Sequence, residues 1–133
     1  MMTTQRFAIL EHSTDPGVHH DLLIEDPALP AASCDDDPTL WAVRIAPPPH
    51  RWQGLRTLEL TPLPHHRRRY LTYEGPISAG RGRVRRVAQG DAELLAWSNT
   101  RRVIRLAIAG HTLTLTVTPA AAGTLTAHIT PPV

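Results

Sequence analysis

The sequence lacks lysine and long apolar runs, and it contains a single cysteine. Its 133 residues include no lysine, so all 14 basic side chains are arginines, and the formal net charge is +2. The single cysteine, Cys34, excludes an intramolecular disulfide and a cysteine-based zinc site. No apolar run approaches the length of a membrane span, and the N-terminal residues lack the pattern of a secretory signal. We therefore expect a cytoplasmic protein without membrane contact, folded as one domain over residues 1–133.

Long helices are also improbable, because 13 prolines and eight glycines interrupt the chain. Segment 111–118 alternates strictly, which predicts a strand with Leu113, Leu115 and Val117 on its buried face. Further short segments have strand-like composition: 6–11, 20–25, 40–46, 56–60, 69–75, 82–88, 92–97, 101–109 and 123–130. Such strands, separated by turn signals, predict an all-β barrel or sandwich with little helix. The Pro- and Asp-rich residues 27–39 are predicted to form a flexible loop.

Charge is distributed unevenly along the chain. Acidic residues gather early, at Asp35–Asp37, whereas the arginines cluster later, at 67–69, 81–86 and 101–105. Arginine binds phosphate through two parallel hydrogen bonds, so this asymmetry indicates a basic face for a phosphate-bearing partner. Solvated arginines on exposed strand positions would give the same composition.

Histidine and aspartate concentrate where the first predicted strand gives way to the second. His19 and Asp21 are two residues apart and share a strand face, and His12 returns from the end of the preceding strand. Two imidazoles and a carboxylate suit Mn²⁺, Zn²⁺ or Fe²⁺, and three protein ligands leave positions open for water or substrate. The alternative is a set of polar hairpin residues with no ligand, which is the more common meaning of an isolated His-x-Asp.

Four motifs in order strengthen the metal interpretation. "RFAILEH", "HHDLLIE", "LWAV" and "YEGPI" resemble the 3′-phosphoesterase domain of bacterial DNA ligase D, over about residues 6 to 118. The resemblance implies a compact antiparallel β-barrel enzyme that uses Mn²⁺ to remove ribonucleotides and phosphates from the 3′ end of a primer–template. It implies nucleic-acid 3′ ends as the partner, with a separate ligase or polymerase as a further candidate partner. We expect the protein to act as a monomer.

The resemblance also assigns roles to individual residues. His12, His19 and Asp21 fall on the family's metal ligands, for Mn²⁺ or alternatively Zn²⁺. Arg56 is the candidate for a catalytic arginine. His66 corresponds to an active-site histidine that precedes an aromatic residue, here Tyr70, by four positions, and His65 remains an alternative to it.

Two positions depart from the family pattern. Leu23 replaces a phosphate-binding arginine, and Ile45 replaces a lysine, with Arg44 beside it. Strand alternation predicts that Leu23 lies on the side of His19 and Asp21. Arg44 should face away from position 45 unless a bulge or a shifted register intervenes.

Three candidate functions follow from these motifs and departures. The first is an active phosphoesterase, in which Arg44, Arg81 and Arg83 compensate for the missing phosphate contacts. The second is a binding module of the same fold that has lost efficient catalysis, and the third is an unrelated small-ligand barrel.

Overall fold

The computed structural model describes residues 3–130, in which antiparallel strands predominate. The strands are β1 (Thr3–Thr14), β2 (Gly17–Glu25), β3 (Leu40–Ile45), β4 (Thr57–His66), β5 (Gly75–Pro76), β6 (Arg83–Trp97), β7 (Arg102–Ile108), β8 (His111–Pro119) and β9 (Leu125–Thr130). Helix within this part of the chain is limited to short 3₁₀ segments at Pro49–Gly54, Arg68–Leu71 and Ala121–Gly123. None of these is long and apolar enough to cross a membrane. The predicted all-β fold is confirmed.

Strand β6 closes the sheet into a barrel. Neighbouring strands follow the order β1-β2-β3-β4-β9-β8-β7-β6, and β6 pairs with β1 as well, which completes a ring of eight antiparallel strands. Residues 83–94 of β6 pair with β1, and residues 93–97 pair with β7. Two separate strands were predicted at 82–88 and 92–97, and this was wrong. The residues between them, including Gly90 opposite Phe7, continue the ladder with β1.

The main hydrophobic core fills the barrel interior. On β8, Leu113, Leu115 and Val117 are buried while the alternating threonines are partly or fully exposed, as the pattern predicts. The turn that joins β7 to β8 is formed by Ala109 and Gly110, whose φ values of 52° and 81° fit a tight hairpin turn. Other interior residues come from every part of the ring and include Phe7, Ile9, Leu22, Ile24, Val43, Ile45, Leu60, Leu94, Ile104 and Leu106.

A second, smaller cluster covers the outer face of β1, β2 and β3, and it is called the outer cluster below. Its buried members are Ala8, Leu10, Leu23, Leu40, Ala42, Leu71 and Val84. Leu71 belongs to the 3₁₀ helix Arg68–Leu71, which lies over these strands. The predicted strand at 69–75 was wrong, because burial of Leu71 against the outer cluster favours a tight helical turn there. The amide of Tyr70 accordingly donates to the carbonyl of Arg67, three residues earlier.

A buried carboxylate lies near one end of the barrel. Asp26 accepts hydrogen bonds of 2.9 Å from His65 Nε2, from Trp97 Nε1 and from the amide of Ala28. Burial alone would raise the pKa of Asp26, but these donors outweigh it, so the pKa lies below its ordinary value. The guanidinium of Arg102 stacks on the Trp97 ring, 4.8 Å from its centroid, and completes this polar group.

Residues 27–39 connect β2 to β3 and are tied to the 3₁₀ helix. The amides of Arg68 and Arg69 donate to the carbonyls of Asp37 and Asp35, and the carboxylate of Asp37 accepts from the amide and hydroxyl of Ser33. Flexibility of this loop and the single-domain organisation stay predictions.

Leu23→Arg should destabilise the barrel. Leu23 is fully buried between Ala8 and Ala42, so an arginine would place an unpaired charge in an apolar layer, at a cost of about 3–5 kcal/mol. Urea unfolding followed by circular dichroism measures the change, with the volume-conserving Leu23→Met as control. An unchanged midpoint for Leu23→Arg would mean that the outer cluster opens readily to solvent.

Asp26→Asn should lower the free energy of unfolding at pH 7 by about 1–3 kcal/mol, because it weakens charge-assisted hydrogen bonds. Since the pKa of Asp26 is lower in the folded than in the unfolded state, the carboxylate stabilises the protein above its unfolded pKa of about 3.9. That stabilisation is lost as the pH falls through the folded pKa. Urea midpoints of wild type and Asp26→Asn should therefore approach each other as the pH falls below about 4, and a difference that does not shrink in acid would contradict this role.

Candidate metal centre

The β1–β2 hairpin brings the predicted metal ligands together. Thr14 pairs with Gly17 across a tight turn, and in this register His12 lies directly opposite His19. Directly opposed side chains on one face of a sheet have Cβ atoms about 4.5–5.5 Å apart. Asp21, two residues along β2 from His19, shares that face. His20 points the other way, where it is buried and its Nδ1 contacts the carbonyl of Ala46 at 3.3 Å.

The three side chains converge on one point of the outer face. His19 Nε2 is 2.9 Å from His12 Nδ1 and 3.6 Å from Asp21 Oδ1, and His12 Nδ1 is 3.9 Å from Asp21 Oδ2. One ligand atom from each residue lies within 4.8 Å of the other two. Adjacent ligands of an ion with bonds of about 2.1 Å are roughly 3 Å apart, so small rotations of these side chains would suffice to hold a cation.

The carboxylate of Asp21 supports this fit. Its side chain is 4 % exposed, and Oδ1 is buried without accepting a hydrogen bond from any residue between 3 and 130. A buried carboxylate oxygen with no donor is costly unless a cation balances it. The donor set of two imidazoles and one carboxylate suits Mn²⁺ or Zn²⁺, and His12, His19 and Asp21 could therefore hold either ion.

A backbone carbonyl orients His12. The Nε2–H group of His12 donates to the carbonyl of Arg81 at 2.7 Å, which leaves Nδ1 with a lone pair aimed at His19 and Asp21. Metal-binding imidazoles commonly donate their other N–H in this way. Sequence reasoning missed this contact, because a carbonyl leaves no side-chain signature. The nearest signal was the glycine-rich stretch around Gly82.

The electrostatic surroundings keep His19 neutral. Burial lowers the pKa of His19 below its ordinary value, Asp21 opposes this effect, and the charge of Arg44 reinforces it. A neutral imidazole has the lone pair that coordination requires.

A cavity of about 310 Å³ opens beside the candidate ligands. Its lining brings together most of the predicted site residues: His12, Asp21, Arg44, His66, Tyr70 and Arg81. The ring of His66 makes an edge contact with Tyr70 at a centroid distance of 6.0 Å. Leu10 and Val84 of the outer cluster form an apolar part of the wall. A larger cavity of about 550 Å³ lies under the 27–39 loop and is lined by none of the predicted site residues.

Arg44, rather than position 45, faces the site. Arg44 pairs directly with Asp21, and its Nε lies 3.6 Å from Asp21 Oδ1. Ile45 pairs with His20 and is buried in the barrel interior. Ordinary alternation therefore places Arg44 beside the carboxylate, with no bulge between β2 and β3. Its Nε is buried and donates to no acceptor in the described chain, while its side chain as a whole is 40 % exposed.

His19 adjoins the cavity through its contacts with His12 and Asp21, whereas two other predicted residues are not brought to it. Arg56 is exposed just before β4, where its carbonyl accepts from the amide of Ile129, about 17 Å along the strand from Thr61 opposite Arg44. Arg83 is exposed and lines a separate groove with Glu11 and Glu74. The structure therefore does not support a site role for either arginine.

His65 and His66 separate at an irregularity in β4. The register between β3 and β4 shifts between Leu40 and Ala42, and Leu40 pairs with His66. The His65 ring is hydrogen-bonded to the carboxylate of Asp26. His66 Nδ1 lies 2.9 Å from the carbonyl of Pro64, to which it can donate. Of the two histidines, His66 has the ring that contacts Tyr70 beside the candidate ligands.

Comparison with models of known protein families and with curated proteins found no match for this chain.

Mn²⁺ should raise the thermal midpoint of the wild-type protein but not that of Asp21→Ala or His19→Ala. At a free metal concentration about 100 times the dissociation constant, binding stabilises the folded state by about 2.7 kcal/mol, or roughly 8–12 °C here. His111→Ala, which alters an exposed histidine outside the site, should respond like wild type. An equal shift in Asp21→Ala would place the ion elsewhere. Scanning calorimetry with Mn²⁺, Zn²⁺ and chelator measures the effect.

Proposed function

We propose that the protein is a metal-dependent phosphoesterase that acts on the 3′ ends of nucleic acids. The observation that carries the proposal is a pair of buried atoms of opposite character, Asp21 Oδ1 and Arg44 Nε, which lie 3.6 Å apart without hydrogen-bond partners in the described chain. The two groups form an ion pair, but neither atom has a hydrogen-bond partner, so the oxygen can still coordinate a metal ion and the N–H can still donate to an anion. A phosphate bound next to a divalent ion would satisfy both.

Each residue of the cavity has a chemical task in this proposal. His12, His19 and Asp21 would hold Mn²⁺ or Zn²⁺, which when bound supplies a Lewis acid for the phosphate and an activated water. Arg44 binds a phosphate oxygen and stabilises the charge that develops during hydrolysis. His66 would donate a proton to the leaving oxygen, and its ring contacts Tyr70 at a centroid distance of 6.0 Å.

Nucleic acid is the proposed substrate because of the charge around the cavity and the resemblance to the ligase D domain. Arg67 and Arg81 both line the cavity and are exposed, so they can reach the phosphates that flank a bound 3′ end. Such contacts are independent of base sequence and weaken with salt. A 3′-terminal phosphate or ribonucleotide on a primer–template is the substrate that the resemblance to the ligase D domain implies.

A binding module of the same fold is the second candidate. Leu23 occupies the position of a family arginine, and it is buried in the outer cluster instead of facing an anion. Losing one contact to the transition state typically costs about 10²–10³ in rate, so the remaining arginines could bind an end without turning it over efficiently.

A labelled primer–template with a 3′-phosphate or a 3′-ribonucleotide tests the proposal. The wild-type protein should release the terminal group with Mn²⁺ and lose this activity in chelator. Arg44→Ala should reduce the rate by about 10²–10³, because its guanidinium would no longer neutralise the phosphate. Arg101→Ala, an exposed arginine in the turn after β6, is the matched control and should retain the wild-type rate.

Three results would decide against a metal-dependent phosphoesterase. Turnover in chelator, or turnover in His19→Ala, would refute the metal-dependent mechanism. Salt-sensitive binding of 3′ ends without any turnover would instead favour the binding module.

A further inference from the structure

We propose that His12 couples metal binding to the position of a loop that carries Arg81 into the cavity. The loop comprises residues 77–82, between β5 and β6. This inference rests on the metal site of the proposed function but not on the phosphoesterase reaction. It identifies the backbone of Arg81 and the glycine at position 82 as positioning groups for the metal centre.

The first observation is that the two nitrogens of His12 have different hydrogen-bond partners. Nε2–H donates to the carbonyl of Arg81 at 2.7 Å, and because a carbonyl can only accept, Nε2 carries a proton. Nδ1 then accepts from His19 Nε2–H at 2.9 Å. An ion held by His12 Nδ1 and His19 Nε2 would require the His19 proton to lie on its Nδ1 instead, and it would leave the bond from His12 Nε2–H to the loop intact.

The second observation is the close approach of the loop to β1. Gly82 has a φ of 92°, and a Cβ built at this position would lie 2.0 Å from the carbonyl oxygen of Ser13. Both the backbone conformation and the contact therefore require glycine. Because Ser13 follows His12 directly, the same approach that excludes a side chain at position 82 brings the Arg81 carbonyl within reach of the imidazole.

The third observation is that the loop is internally bonded. The amide of Ile77 donates to the carbonyl of Gly82 at 2.8 Å, and the Arg81 guanidinium donates to the carbonyl and hydroxyl of Ser78 at 2.9 and 3.1 Å. The carbonyl of Arg81 and its guanidinium consequently move as one unit. Whatever fixes the carbonyl at His12 also fixes the guanidinium that lines the cavity.

These contacts make the coupling reciprocal. Coordination at Nδ1 withdraws electrons from the ring and strengthens Nε2–H as a donor, so a bound ion tightens the loop. By thermodynamic linkage, an intact loop increases the affinity for the ion by the same factor. Loss of such a supporting contact typically lowers metal affinity by about 10–100-fold.

Gly82→Ala and Gly80→Ala form a matched pair for the test. Gly80 also has a positive φ, 67°, but a Cβ there would meet no atom within 4 Å. Both variants share the backbone strain of an alanine at positive φ, and only Gly82→Ala displaces the loop from β1. Isothermal titration with Mn²⁺ should give a dissociation constant 10–100-fold weaker for Gly82→Ala and within about threefold of wild type for Gly80→Ala.

Hydrogen exchange of the wild-type protein tests whether metal binding stabilises the loop. This measurement does not depend on how a variant folds. Saturating Mn²⁺ should slow amide exchange across residues 77–82, and at Ile77 above all, without slowing the hairpin turn at Ala109. Unchanged exchange on metal binding would overturn the coupling, as would equal Mn²⁺ affinity in Gly82→Ala and wild type. Failure of wild type to bind Mn²⁺ would overturn the metal site itself, and with it the proposed function.

Discussion

The register of the β1–β2 hairpin is the constraint on which the candidate site depends. Pairing of Thr14 with Gly17 sets His12 opposite His19 and aligns Asp21 on the same outer face. A slip of one residue would turn every side chain of one strand to the other face. It would remove Leu22 and Ile24 of β2 from the barrel core and turn Asp21 into the interior, so the core that these residues fill also holds the ligands in place. Stability and site geometry therefore have one physical origin.

The outer cluster gives the candidate site an apolar wall on one side. Leu10 and Val84 belong to that cluster and also line the cavity, and Leu71 covers the cluster from the 3₁₀ helix. Water is excluded on this side, which strengthens the attraction between Asp21 and Arg44 relative to a fully solvated pair. The 3₁₀ helix Arg68–Leu71 thus has two roles, since its Leu71 covers the outer cluster and its Tyr70 lines the cavity.

Local patterns in the sequence were sufficient to predict most of the strands and the three candidate ligands. Alternation on β8 identifies its buried face, and a hairpin is a local structure, so the convergence of His12, His19 and Asp21 needs no distant contact. Contacts between distant segments explain the rest. Segment 69–75 has strand-like composition but bends into a 3₁₀ turn because Leu71 is buried on another part of the sheet. The carbonyl that orients His12 belongs to the backbone and carries no residue-type signal.

The two departures from the ligase D pattern have different physical meanings once the strand faces are known. Ile45 faces the barrel interior, so the apolar residue there removes no charge from the site. Leu23 does share the face of Asp21, but it pairs with Ala8 and Ala42 and completes a dry layer in which an arginine would lack a partner. Arg44 lies two residue pairs nearer to the imidazoles than position 23, directly opposite Asp21. An anion bound by Arg44 would therefore also contact a cation held by Asp21. One anionic ligand could then interact with both the guanidinium and the bound cation.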